Sequence, residues 1–274
     1  MRDRRRERER LDVLVVNRGL AETRTRARAL IMAGRVTADG ERLDKPGLRI
    51  PTDTPLAVEP GPRYVSRGAF KLVSALDVFG VVVQGRAALD VGASTGGFTE
   101  VLLEHGAQTV IALDVGRGQL DWSLRNDTRV RVLDGVNARY LEPGDLPLAP
   151  QLIVMDVSFI SVTRILPALR GCLDPGGELV TLVKPQFEVG RGKVGRGGIV
   201  RDTEAHREVL DSVAAFARED GWRVRGVARS AIRGAEGNAE FFLYLDLARG
   251  GLEGDDLARA IDESLRCPEH ENGE

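Results

Sequence analysis

Residues 89–98, Leu-Asp-Val-Gly-Ala-Ser-Thr-Gly-Gly-Phe, read as the end of a buried strand emptying into a glycine turn. The run 87–91 is apolar enough to lie inside a sheet. Asp90 sits near its end, and Gly92, Gly96 and Gly97 open a helix predicted over 98–105. Glycine at such a turn lets backbone approach a ligand closely, and a carboxylate at the carboxyl edge of a strand accepts hydrogen bonds from it. The turn, with Ser94 at its centre, points to a nucleoside-like ligand.

Taken alone, this turn suits dinucleotide, phosphate or S-adenosylmethionine sites. The G-x-G-x-x-G spacing is absent, no Gly-Lys-Ser/Thr follows, and Asp90 would repel a pyrophosphate seated on the helix N-terminus. The ammonium and sulfonium of S-adenosylmethionine fit a carboxylate better. A second β-run, 109–115, ends around Asp114, where an acceptor for ribose hydroxyls belongs. The competing reading makes Asp90 and Asp114 helix caps or loop carboxylates.

Outward from the turn, β-like runs at 87–91, 109–114, 130–133, 152–156, 178–183, 223–230 and 241–247 are mostly separated by helical segments. That alternation predicts an α/β fold, a largely parallel, doubly wound sheet with helices on both faces. Ahead of it, Ser66 is a candidate N-cap for a helix carrying Leu72, Val73, Leu76 and Phe79 at helical spacing. Residues 60–65, with Pro60 and Pro62, read as a linker, 66–248 as the main domain, and 249–274 as a C-terminal helix and tail.

Residues 11–59 read as a small α+β module, with short helices at 11–17 and 24–33, Thr23 as a cap, and β-like pieces at 35–38, 42–43 and 56–58. Residues 1–10 form a basic extension before it. The net charge of −2 hides an asymmetry: through Lys71 there are 17 Lys and Arg against 10 Asp and Glu, and beyond it 22 against 31. The basic end is where a polyanion would dock, though a solvated helix face would carry the same charge.

At 274 residues, with 42% hydrophobic and 29% charged, the composition is that of a soluble globular protein. No apolar stretch approaches a membrane span, and the start is too short for a secretory signal, so a cytoplasmic protein with no membrane partner is expected. Cys172 and Cys267 are the only cysteines. Neither a disulfide framework nor a metal site is expected.

Three polar residues fall at or near strand ends. Asp156 closes 152–156 and Lys184 closes 178–184, while Glu240 opens the last β-run and reaches the same edge only if that strand runs antiparallel. Lys71 comes from the preceding helix. Charges ending such apolar strands are costly unless paired or functional. Two lysines and two carboxylates suit a reaction that deprotonates or steers a weak hydroxyl nucleophile. Sequence leaves open whether Lys184 is a base or positions the oxygen, since Lys71 would lower its pKa and the carboxylates would raise it.

The stretch 18–50, with its G-x-V-x-x-D-G turn at Gly34 to Gly40, resembles the small S-four RNA-binding domain. The resemblance implies that Arg18, Arg24, Arg26, Arg28 and Arg35 face RNA. No aromatic residue lies in this module, so phosphate and shape contacts are expected in place of base stacking. Together with SRGAFKL, LDVGASTGGFTEVLL, ALDVGRGQL, MDVSFIS, LVKPQFEVG and NAEFFLYL, the order of motifs over 8–247 resembles the TlyA-type ribosomal RNA methyltransferases, also called hemolysins, of the FtsJ-like group. That resemblance implies a Rossmann-like class I methyltransferase sheet and S-adenosylmethionine bound at Asp90, Gly92, Ser94, Gly96, Gly97, Asp114 and Asn137. It further implies 2′-O-methylation of cytidine in 16S or 23S ribosomal RNA through Lys71, Asp156, Lys184 and Glu240, with ribosomal subunits as partners. Arg63 and Arg67 are added RNA-contact candidates, as are Arg191, Lys193 and Arg196 in the glycine-rich stretch 188–202, whose basic residues, Arg201 included, would suit a ribose-phosphate substrate or simply line a surface loop.

Local detail agrees with an oxygen target. The turn Asp156-Val157-Ser158-Phe159 lacks the two prolines of amino-methylating relatives, and neither cysteine is placed as the nucleophile that carbon-5 methylation needs. Rival expectations are a membrane-lytic protein and a non-catalytic ribosome-assembly binder. Lysis would require an exposed amphipathic or spanning segment.

Overall fold

Separate hydrophobic centres divide the chain into two units, Met1–Arg63 and Tyr64–Glu274. The computed structural model describes residues 7–59, 63–190, 195, 197–234 and 237–266.

In the first unit, β1 (Arg8–Arg10) leads into α1 (Leu11–Asn17), then α2 (Arg24–Met32), β2 (Val36–Ala38), β3 (Glu41–Leu43), β4 (Arg49–Pro51) and β5 (Leu56–Val58). Leu11, Leu14, Val15, Ala27, Leu30, Ile31, Val36 and Ile50 form its core. Thr23 caps α2, its hydroxyl accepting from Arg26 N at 3.2 Å. Asp39 and Gly40 both have positive φ, 50° and 84°, which gives the two-residue turn that matches the twist of the β2–β3 hairpin. Two expectations change here. Arg8–Arg10 pair antiparallel with Arg49–Pro51, so that part of the basic extension is a strand of this unit. β4 itself has no alternation long enough to announce it.

The second unit begins at Tyr64, which is buried, stands edge-on to Phe70 and donates to Glu104 at 2.6 Å. The expected linker therefore stops short of Tyr64, and residues 60–62 lie outside the described residues. α3 (Ala69–Phe79) follows, closed by Gly80 at φ 64°. Ser66 is not its N-cap: the hydroxyl accepts from Gly68 N at 3.0 Å, holding the turn one step earlier.

The chain then runs through β6 (Ala87–Val91), α4 (Gly97–Glu104), β7 (Thr109–Asp114), α5 (Trp122–Arg125), β8 (Val130–Asp134), β9 (Leu152–Met155) and α6 (Leu166–Cys172). β10 (Glu178–Val183), α7 (Pro185–Glu188), α8 (Thr203–Glu219), β11 (Arg223–Arg229), β12 (Phe241–Asp246) and α9 (Gly254–Leu265) complete it. The sheet order is β11-β12-β10-β9-β6-β7-β8. β10, β9, β6, β7 and β8 are parallel, and β12 runs antiparallel between β10 and β11.

Both faces are covered. Leu72, Leu76, Val101 and Leu102 from α3 and α4 pack one side of the sheet. Leu166, Leu210, Val213 and Ile261 from α6, α8 and α9 pack the other. Each such side chain contributes about 1.5–3 kcal/mol on burial. α9 thus belongs to the core of this unit and is not a separate tail; residues 267–274 lie outside the described residues. Connections leave β6 in one direction toward β7 and β8, then return to place β9 on its other side. That switch opens a crevice at the carboxyl ends of β6 and β9.

Candidate active site

Four side chains from four separated stretches meet at this crevice. Lys71 rises from the first turn of α3, Asp156 follows β9, Lys184 follows β10, and Glu240 precedes β12. Because β12 is antiparallel, with Phe241 opposite Val183, its start lies beside the end of β10. Lys71 Nζ is 2.6 Å from Glu240 Oε2 and 3.7 Å from Asp156 Oδ2. Lys184 Nζ is 2.6 Å from Asp156 Oδ1 and donates to Ser158 Oγ at 2.8 Å. Cation and anion alternate along this chain of contacts, so two charges of each sign balance in a largely dry place. Lys71, Lys184 and Glu240 are 9%, 8% and 3% exposed.

Two residues of this arrangement escaped sequence reasoning. Ser158 gives Lys184 a second acceptor beside Asp156, and its signal is only its place in the MDVSFIS turn. At Gly234 an added Cβ would lie 1.9 Å from Glu240 Oε1, so glycine there makes room for the carboxylate.

The glycine turn shapes the neighbouring cavity. A Cβ on Gly92, at φ 85°, would meet the Asp156 carbonyl oxygen at 2.5 Å, and one on Gly96, at φ 102°, would strike Leu124 at 2.3 Å. A Cβ on Gly97 would stand 3.0 Å from Ser66. Ser94, itself at φ 49°, donates its backbone N–H to Asp114 Oδ2 at 2.8 Å, while Gly116 N donates to Oδ1 at 2.7 Å. The loop after β6 is thereby tied to the end of β7. A cavity of about 470 Å³ lies there, lined by Gly92, Ser94, Asp114, Asn137, Phe159 and their neighbours. A second, of about 360 Å³, is lined by Arg67, Lys71, Gly97, Asp156, Lys184 and Arg233. Gly92, Ser94, Asp156 and Ser158 line both.

Asp90 is placed differently from expectation. It is fully buried, lines neither cavity, and its Oδ2 accepts from Thr99 Oγ1 at 2.7 Å. Burial, with the nearby charges of Asp156 and Asp114 adding and Thr99 opposing, pushes its carboxyl up to about 7. Through Thr99 it ties the end of β6 to α4. Asn137 lines the larger cavity while its Oδ1 accepts from Arg139 N at 3.1 Å.

The arginines expected to face RNA divide. Arg18 donates to the carbonyls of Thr52 and Thr54, and Arg24 donates to the buried Asp12 at 2.9 Å, so these two hold the first unit together. Arg26 and Arg28 are exposed and Arg35 is half-buried. Arg67 lines the cavity of Lys71, and Arg63 ends the first unit. Arg191, Lys193 and Arg196 lie outside the described residues. Among the described residues no cluster of His, Cys, Asp and Glu could hold a metal ion, and no helix is long and apolar enough to cross a membrane.

A doubly wound sheet whose switch-point cavity opens on to a largely buried Lys-Asp-Lys-Glu set is the architecture of a methyltransferase domain. Comparison with known families agrees: residues 64–247 match the FtsJ-like methyltransferases and residues 9–54 the S4 domain. The chain belongs to the TlyA-type FtsJ-like methyltransferases. It is 49% identical to the 16S/23S rRNA (cytidine-2′-O)-methyltransferase TlyA of Mycobacterium tuberculosis, covering 93% of this chain and 98% of that one. It is 40% identical to Hemolysin A of Brachyspira hyodysenteriae, over 86% and 98% of the two chains. A solved structure from Streptococcus thermophilus that bears a hemolysin name superposes with a TM-score of 0.70 at 45% identity, covering 94% of this chain and 96% of that one.

Proposed function

We propose that this protein is an S-adenosylmethionine-dependent methyltransferase of ribosomal RNA that methylates the 2′-oxygen of cytidine. The observation that carries the reading is the meeting of Lys71, Asp156, Lys184 and Glu240 beside a nucleoside-sized cavity that shares Gly92, Ser94, Asp156 and Ser158 with theirs. The larger cavity suits the donor: Asp114 and Asn137 supply acceptors for ribose and adenine edges, and Gly92 lets backbone come close.

When bound, S-adenosylmethionine supplies an electrophilic methyl group on a sulfonium. Lys184, held between Asp156 and Ser158, orients the incoming hydroxyl oxygen, and the proton it loses is taken up within the Lys184–Asp156 pair. Lys71, between Asp156 and Glu240, offsets the repulsion of these like charges. Phe159, 90% exposed at the rim, offers a face to an unstacked base. The S4 unit, with Arg26, Arg28 and Arg35, supplies phosphate contacts, which makes binding salt-dependent. Such a substrate sets the work in the cytoplasm, on ribosomal RNA or its subunits.

The test is methyl incorporation into ribosomal RNA from cells lacking the modification. Lys184→Ala is expected to lower turnover by about 10²–10⁴-fold while donor and RNA binding stay within about twofold. Unchanged turnover would remove Lys184 from the chemistry. Absence of incorporation by the unaltered protein, with donor bound, would refute the assignment.

A further inference from the structure

A polar cavity of about 420 Å³ lies between the start of α8 and the end of β11, lined by Arg201, Arg229, Arg233 and His206. Arg233 also lines the cavity of Lys71 and Lys184, so the two cavities share a wall. The backbone here is clamped. Asn238, 2% exposed, accepts from Val200 N and donates to Gly198 O, both at 3.1 Å, tying the segment that carries Arg201 to the one that leads to Glu240.

Two of the guanidiniums are held by contacts that leave their charge unpaired, and Arg201 is exposed. Arg229 rests 5.7 Å over the Phe241 ring and donates to Leu265 O at 3.3 Å, and Arg233 donates to Gly237 O at 3.0 Å. A guanidinium has five donors, so each keeps several free. None of the three pairs with a carboxylate among the described residues. Asp202, whose charge reaches His206, caps α8 by accepting from Glu204 N.

His206 is 6% exposed, and its Nε2 stands 2.9 Å from Val200 O. Facing a carbonyl, Nε2 must carry the hydrogen; in the neutral ring Nδ1 is then an acceptor, with no partner among the described residues. Burial, aided by Arg229, holds the imidazole below its ordinary pKa and so favours that neutral form. The cavity therefore presents three cations and one acceptor. Phosphodiester oxygens take the first, bidentately where guanidiniums allow, and a hydroxyl satisfies the second.

We propose that this cavity is a second RNA site, which takes the phosphodiester and 2′-hydroxyl of a nucleotide flanking the one under methylation. The inference rests on the RNA-methyltransferase reading above and adds to it an affinity site for the flanking nucleotide, with Arg233 as the wall between flank and target. Its test uses the full chain with donor bound and ribosomal RNA from cells lacking the modification, and measures RNA affinity across salt concentrations. R201Q/R229Q is expected to weaken RNA binding by about tenfold and to lower the log–log salt slope by about one, while donor affinity, thermal midpoint and saturated turnover hold. R201K/R229K keeps the charges and is expected to retain the slope; the exposed single change R201Q gives the same readout where the pair unfolds.

Unchanged affinity and slope in R201Q and R201Q/R229Q, in a protein that still methylates, would overturn the site. So would equal losses in the Lys and Gln pairs. A wild type that binds RNA with the expected slope but transfers no methyl would reject the enzymatic reading and leave this site standing.

Discussion

Asp90 has one carboxylate oxygen on Thr99 and another, Oδ1, buried without a hydrogen-bond partner among the described residues. Its pKa rises from an ordinary value near 3.8 to about 7. A carboxyl raised on folding stabilises the native state below the ordinary value, and that contribution is lost as pH climbs through the raised one. Denaturant unfolding of the protein should therefore show stability falling between about pH 4 and about pH 7, and Asp90→Asn should flatten that slope. A slope unchanged by the substitution would assign the titration elsewhere. At Gly234 the expected result is kinetic. Gly234→Ala displaces the Glu240 carboxylate and should lower turnover by about tenfold or more, with little change in thermal midpoint.

At the scale of elements, the β6–α4 turn works because three glycines remove three collisions. Gly92 is the most constrained, having both a left-handed φ and a carbonyl oxygen from the strand end across the switch point. Gly92→Ala should cost about 1–3 kcal/mol in denaturant unfolding and weaken donor binding in calorimetry, because the Asp156 backbone must retreat. Donor affinity equal to the wild type would show that the turn tolerates a side chain. The antiparallel β12 is the other decisive element. Glu240 precedes its first residue, so strand direction alone decides whether it stands beside Lys184 or at the far end of the sheet.

For the whole molecule, two separate cores imply that damage to one unit leaves the chemistry of the other legible. Asp12, buried in the S4 unit, accepts from Arg10 and Arg24, and the hydrogen bond from Arg10 chiefly holds its carboxyl down at about 2. A lowered carboxyl stabilises above its ordinary value and loses that contribution as pH falls through the lowered one. Acid should therefore loosen this unit progressively from about pH 4 to about pH 2. Asp12→Ala is expected to destabilise the S4 unit by about 1–3 kcal/mol and to weaken RNA binding, while donor uptake by residues 64–247 persists. Loss of donor binding in that variant would show the units to be energetically coupled.

The parallel sheet and the glycine turn were legible in the sequence because they are local: continuous apolar strand runs, glycines at fixed offsets, and charged residues at strand ends. The strand Arg8–Arg10, the buried place of Asp90, the clamping roles of Arg18 and Arg24, and the room Gly234 makes for Glu240 were not. Each depends on a partner 12 or more residues away or, for Asp90 and Gly234, on three-dimensional packing that no local pattern encodes. Sequence by itself determined which residue types the chemistry could use. Only the tertiary structure, through the reversed direction of one strand and the packing at the switch point, decided which of them share a pocket.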